Sequence, residues 1–311
     1  MTTQQRFDPT THYAIQEIHL VANTDHIKRK FLDIPYAAQS ESQKLDIYLS
    51  DHGEGPLPVI MSIHGGAFMG GDKSDLQVIP MLEGLSRGYA VVAVNYRLSW
   101  EALFPALVHD VKAAVRWIRA NARQYHFDAE KIAAWGGSAG GYLSLVLGVS
   151  AGIPELEDLS MGNPEQPCHI SAVVDWFGPT NFLTMDEQLT ASGLAPVPGT
   201  EHNGADSPES LLLGAKITDI PDKVRAASPE TYLRQNAAPA LIQHGRKDPV
   251  VPVQQSIEFA EKMKQVIGEE NVVLELLDDA DHGDPLFETP ENVNRVLGFL
   301  DHYMHPGKKH S

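Results

Sequence analysis

Short, nearly continuous apolar runs rich in β-branched residues recur at residues 58–63, 89–94, 131–135, 172–176, 240–243 and 272–277. Runs of that kind read as strands buried on both faces, because a strand with one solvated face would alternate polar and apolar positions. Between them the period lengthens. Over residues 105–123, Val108, Val111, Val115 and Ile118 share one face of a helix while Lys112, Arg116, Arg119 and Arg123 share another. Pro105 opens that helix in the position where proline is tolerated. Residues 142–149 and 253–266 read as further helices. Strands alternating with helices imply βαβ units, a mainly parallel sheet, and functional residues in loops beyond the carboxyl ends of the strands. Residues 13–21, 26–34 and 44–49 alternate more and are expected to form an antiparallel edge.

One stretch departs from this rhythm. Residues 179–236 contain no strand-like run and are rich in Gly, Pro, Ser and acidic residues, as at 195–208. Connections in such folds usually take about 2–6 residues, so this one is expected to be a small cap over the site. No internal repeat is visible, and residues 1–311 are expected to form one α/β domain with one core.

Composition narrows the function classes. The chain is 42% hydrophobic and 21% charged, which fits an ordinary globular protein. Its 41 acidic residues outweigh 24 basic ones, and a net charge of -17 repels both a phosphate backbone and an anionic leaflet. Neither nucleic acid nor membrane is therefore an expected partner, whereas homo-oligomerisation is left open. The start of the chain is polar, without the apolar run of a secretory signal, and the expectation is cytoplasmic. Cys168 is the single cysteine, so neither an internal disulfide nor a thiolate zinc site can form. His109, His126, His302 and His305 read as surface or helix residues with no matching ligand set, and no metal or cofactor is expected.

The strongest chemical signal is Gly136-Gly137-Ser138-Ala139-Gly140, directly after one strand-like run and before a helical one. It matches G-x-S-x-G in the strand-to-helix setting that the motif needs, where a strained turn lifts the serine hydroxyl off the sheet edge. It is not a dinucleotide loop, since Ser138 or Ala139 stands where the third position needs glycine. The second signal, His64-Gly65-Gly66-Ala67-Phe68, ends another strand, and its glycines allow backbone amides to turn toward a developing oxyanion. Gly66, Ala67 and Ala139 are the expected donors. The segment 66–74 imitates a phosphate loop, but Asp72 separates Gly71 from Lys73 and would repel phosphate.

An acid and then a histidine should follow the nucleophile in the chain. Asp248 lies just past the run 240–243, and His282 lies 34 residues on, just past the run 272–277. That interval holds one helix and one strand, which suits a triad Ser138, Asp248, His282 on neighbouring loops. Asp279 is the reserve carboxylate. Phe68, Trp176 and Phe177 lie where the chain returns to the sheet's carboxyl edge and are expected to wall an acyl pocket.

With residues 64–68, Asn95-Tyr96-Arg97-Leu98, 136–141, Trp176-Phe177-Gly178-Pro179 and 244–252 in view, the chain resembles the bifunctional feruloyl and acetyl-xylan esterase-like branch of the α/β-hydrolases. That branch is near the hormone-sensitive-lipase-like esterases, which usually carry an aspartate before the nucleophile and three glycines after the first histidine. Gly137 and Ala67 stand there instead. The resemblance covers roughly residues 44–300 and implies an α/β-hydrolase fold with an eight-stranded sheet flanked by helices. It also implies a serine carboxylesterase acting on a small-molecule ester with short acyl or aryl groups, through Ser138, Asp248 and His282. A cytoplasmic enzyme would meet oligosaccharides or small esters rather than polymeric xylan. An amidase such as an arylformamidase would use the same triad and is the alternative.

Overall fold

The computed structural model describes residues 20–50, 55–194 and 200–305. Eight strands form one sheet: β1 (Lys30–Pro35), β2 (Lys44–Leu49), β3 (Leu57–Ile63), β4 (Ala90–Val94), β5 (Phe127–Gly137), β6 (Ala172–Trp176), β7 (Ala240–Gly245) and β8 (Val272–Leu277). Their spatial order is β1-β2-β4-β3-β5-β6-β7-β8. The β1/β2 and β2/β4 pairs are antiparallel and every other pair is parallel, which is the α/β-hydrolase arrangement with the expected antiparallel edge. Residues 13–19 of that edge lie outside the described residues.

Alternation along each strand feeds two cores. In β4, Ala90, Val92 and Val94 join the core beneath α1 (Ala106–Ala120) and α2 (Ala139–Val149). Val91 and Ala93 face the other way, into a core that includes Val293, Val296, Leu297 and Leu300 of the C-terminal helix Pro290–Met304. Both faces are covered, so the strands carry apolar residues throughout. β5 starts earlier than its apolar run, because Phe127 pairs with Leu57 and an irregularity in register over residues 128–131 precedes the pairing of Ile132 with Val59.

Helix α1 differs from its amphipathic reading. Lys112, Arg116 and Arg119 are buried like the apolar face, and only Arg123, beyond the helix, reaches solvent. The segment after α2 covers them and offers its carbonyls. Lys112 Nζ donates to Ser150 O (2.6 Å), Arg116 Nη2 to Asp158 O (2.7 Å) and Arg119 Nη1 to Pro167 O (2.9 Å). Charged donors here pair with backbone carbonyls of a segment that adds no strand to the sheet.

No strand interrupts the described part of residues 179–236. It holds three short helices, α3 (Met185–Ala191), α4 (Pro208–Leu213) and α5 (Pro221–Ala227), and residues 195–199 lie outside the description. It docks on the main body through Phe182, which packs on Phe68 and Tyr142, and through the Tyr142 hydroxyl, which donates to Ala227 O (2.7 Å). The last connection before β8 is α6 (Gln254–Ile267).

Candidate active site

Ser138 sits at the corner between β5 and α2 with φ 55° and ψ -121°. Few non-glycine residues adopt such angles without a surrounding structure that enforces them. Two neighbours show why the flanking glycines are needed. A Cβ on Gly140 would lie 2.0 Å from Ile63 O, and one on Gly136 would lie 2.5 Å from the same atom. The corner can therefore press against the end of β3 only if both positions lack side chains.

His282 follows β8 and Asp248 follows β7, and the structure brings both to Ser138. His282 Nε2 lies 3.0 Å from Ser138 Oγ, and His282 Nδ1 lies 2.8 Å from Asp248 Oδ2. A carboxylate only accepts, so Nδ1 carries the proton and Nε2 is the acceptor for the serine hydroxyl. The two loops are also tied to each other: Arg246 N donates to Leu277 O and Lys247 N to Ala280 O, each over 3.0 Å.

Asp248 is buried, and burial alone would raise its affinity for a proton. Hydrogen bonds from His244 and His282 overcome that effect and hold it well below the usual carboxylate range. Its Oδ1 accepts from the amides of Val250 (2.8 Å) and Val251 (2.9 Å). The reserve candidate Asp279 is instead exposed and paired with Lys247 (2.7 Å).

The segment after β3 runs through positive φ at Gly66 (115°), Ala67 (52°) and Phe68 (64°). The Gly65 amide is engaged by Gln77 Oε1 (2.8 Å), and the His64 ring stacks on Tyr96 at 4.4 Å. Gly66 and Ala67 follow at the rim of the site, half-buried and exposed respectively. Ala139 is the first residue of α2, where a helix has no internal acceptor for the amide.

The three expected pocket aromatics are not gathered in one wall. Phe177 meets the His282 ring edge-on, with centroids 4.8 Å apart. Phe68 is buried against Tyr142 and Phe182. Trp176 lies in the opposite core against Trp135 and Phe287, and its indole N–H donates to Gln243 Oε1 (2.7 Å).

Sequence reasoning passed over two residues. His244 reaches Asp248 from within β7, and the only sequence signal was its place four residues before the acid. Asp175 is fully buried at the end of β6, where its Oδ1 accepts from Gly178 N (2.9 Å). Burial pushes its carboxyl up to about 7 against the lowering effect of that amide. A carboxylate inside an otherwise apolar strand was the visible clue. Among the described residues, no group of three or more His, Cys, Asp or Glu is arranged to hold a metal ion, and no helix is long and apolar enough to cross a membrane.

The family model described as BD-FAE matches residues 45–263. Among curated relatives, "Probable carboxylic ester hydrolase LipM" of Mycobacterium tuberculosis is 31% identical over 78% of this chain and 54% of its own length. "Esterase LipQ" of the same organism is 30% identical over 86% of this chain and 62% of its own. The chain thus spans a little over half the length of these relatives. A solved structure, "Truncated form of carbohydrate esterase from gut microbiota", superposes with a TM-score of 0.81 at 28% identity, covering 92% of this chain and 99% of that one.

Proposed function

This chain belongs to the BD-FAE family, and on that premise we propose that it is a serine carboxylesterase acting on short-chain acyl or aryl esters. One observation carries the reading: a single imidazole, His282, stands within hydrogen-bond reach of the Ser138 hydroxyl on one nitrogen and of the Asp248 carboxylate on the other. Ser138 attacks the ester carbonyl as His282 takes its proton, and the amides of Gly66, Ala67 and Ala139 hold the oxyanion. His282 then returns the proton to the departing alcohol, leaving an acyl-enzyme that water opens by the same route. Asp248 stays ionised throughout and stabilises the imidazolium.

Residues 179–236 serve as a small cap in this reading. Phe182 supports it by packing on Phe68, next to the proposed oxyanion donors, as does His202 Nε2, 2.8 Å from Val250 O in the acid loop. The names of relatives, ester hydrolase and carbohydrate esterase, agree with an ester carried on a sugar. A panel of p-nitrophenyl esters, feruloyl esters and matched anilides, run beside Ser138→Ala, tests the proposal. Ester turnover that vanishes in the variant supports it, and turnover of anilides alone moves the assignment to an amidase.

A further inference from the structure

His244 is fully buried in β7 and touches the acid in two ways. Its Nε2 lies 2.8 Å from Val251 O and 3.2 Å from Asp248 Oδ2, while its Nδ1 lies 2.7 Å from Ser256 Oγ on α6. A carbonyl oxygen only accepts, so Nε2 carries a proton, and in the neutral ring the Ser256 hydroxyl donates to Nδ1. Val251 in turn gives its amide to Asp248 Oδ1. One imidazole thus holds the carbonyl of the residue that grips one carboxylate oxygen and leans on the other oxygen itself. That second oxygen, Oδ2, is the atom His282 uses.

We infer that His244, oriented by Ser256, is a positioning residue for the reaction: it fixes the Asp248 carboxylate so that Oδ2 stays aimed at His282. The inference rests on the triad reading above. The torsion that turns a carboxylate is broad, so its direction must come from its partners. Four donors meet Asp248, two amides and two imidazoles, and three of these contacts depend on His244 either directly or through Val251 and its loop. Without His244, Oδ2 keeps His282 as its partner, and Val251 O loses a buried donor. The acid and the loop that carries it are then free to shift, and small displacements of a catalytic group can cost about 10²-fold in rate.

The test uses the full chain with p-nitrophenyl acetate and three variants. His244→Leu removes both ring nitrogens, His244→Gln returns an amide N–H near the Nε2 position, and Ser256→Ala removes the orienting hydroxyl. Expected are a fall in kcat of roughly 10- to 100-fold for His244→Leu with KM within about twofold, and recovery of most of that loss in His244→Gln. Ser256→Ala should fall by about 3- to 10-fold in kcat. The far-downfield proton resonance of the His282–Asp248 hydrogen bond should vanish or broaden in His244→Leu and persist in His244→Gln. A role in stability alone predicts unchanged kcat and an unmoved resonance in whatever protein is folded, and that result overturns the inference. If His244→Leu does not fold, unchanged kcat and resonance in Ser256→Ala overturn it equally. Full activity in Ser138→Ala would instead defeat the triad reading on which the inference rests, while the resonance would still report on His244.

Discussion

The amide of Ser138 donates to the carbonyl of Trp176 over 2.8 Å, which fastens the proposed nucleophile to the end of the neighbouring strand. An amide so engaged cannot also serve an oxyanion. That is why the donor on this side of the site is assigned to Ala139, one residue on, at the free end of α2.

Replacing Ser138 by Ala should leave the fold intact and lower kcat by on the order of 10⁴ to 10⁶. Steady-state turnover of p-nitrophenyl acetate and a melting curve check it. Retention of more than about a tenth of the activity would reject this nucleophile.

Asp248→Asn keeps the shape of the loop but can present an N–H to His282, favouring the wrong tautomer, and should cost about 10³ to 10⁴ in kcat. Asp279→Asn removes only an exposed pair with Lys247 and should stay within about twofold of wild type. Measuring the two variants side by side decides the acid, and a collapse confined to Asp279→Asn would reassign it.

Asp175 makes stability depend on pH in a defined direction. Below about pH 4 the carboxyl is protonated in folded and unfolded chains alike. As pH rises toward 7 the unfolded chain ionises it while the folded chain, held at about 7, keeps the proton, so stability falls over that window and levels off above it. Asp175→Asn lacks this slope and should gain on wild type between pH 4.5 and 7.5, by a few kcal/mol at most at about 1.4 kcal/mol per unit. Urea unfolding at the two pH values measures it, and an identical difference at both would remove Asp175 as the cause.

Chain-length preference tests the acyl side. With Phe177 against His282 and Phe68 locked under Phe182, acetate and butyrate esters should be favoured over octanoate and laurate in kcat/KM. In an open apolar pocket each added methylene would contribute up to ~0.8 kcal/mol instead. Phe177→Ala should raise the octanoate-to-acetate ratio, though it also opens a cavity that costs about 3 kcal/mol or more of stability. A wild-type optimum at eight carbons or beyond would refute the closed pocket.

The sheet was legible where strands are buried on both faces, because a central strand writes a nearly continuous apolar run such as Leu57–Ile63 or Ala90–Val94. That Ser138, Asp248 and His282 come together was legible because each follows a strand-like run. The basic row on α1 was misleading, since charge on a helix face usually means solvent, and only the fold reveals that the segment after α2 lies over it. The role of His244 could not be read at all: it depends on where a ring points, and spacing fixes only where the backbone goes.

The backbone bonds between the Asp248 loop and the His282 loop join two connections at one border of the sheet, β7 and the outermost strand β8, whereas Ser138 rises from its middle. An outermost strand has one partner and is among the first to open on warming. Acid and base should therefore depart together while the nucleophile's corner persists, so heat should silence turnover before far-UV circular dichroism changes. Coincident loss of the two signals would show instead that the border strand melts only with the whole.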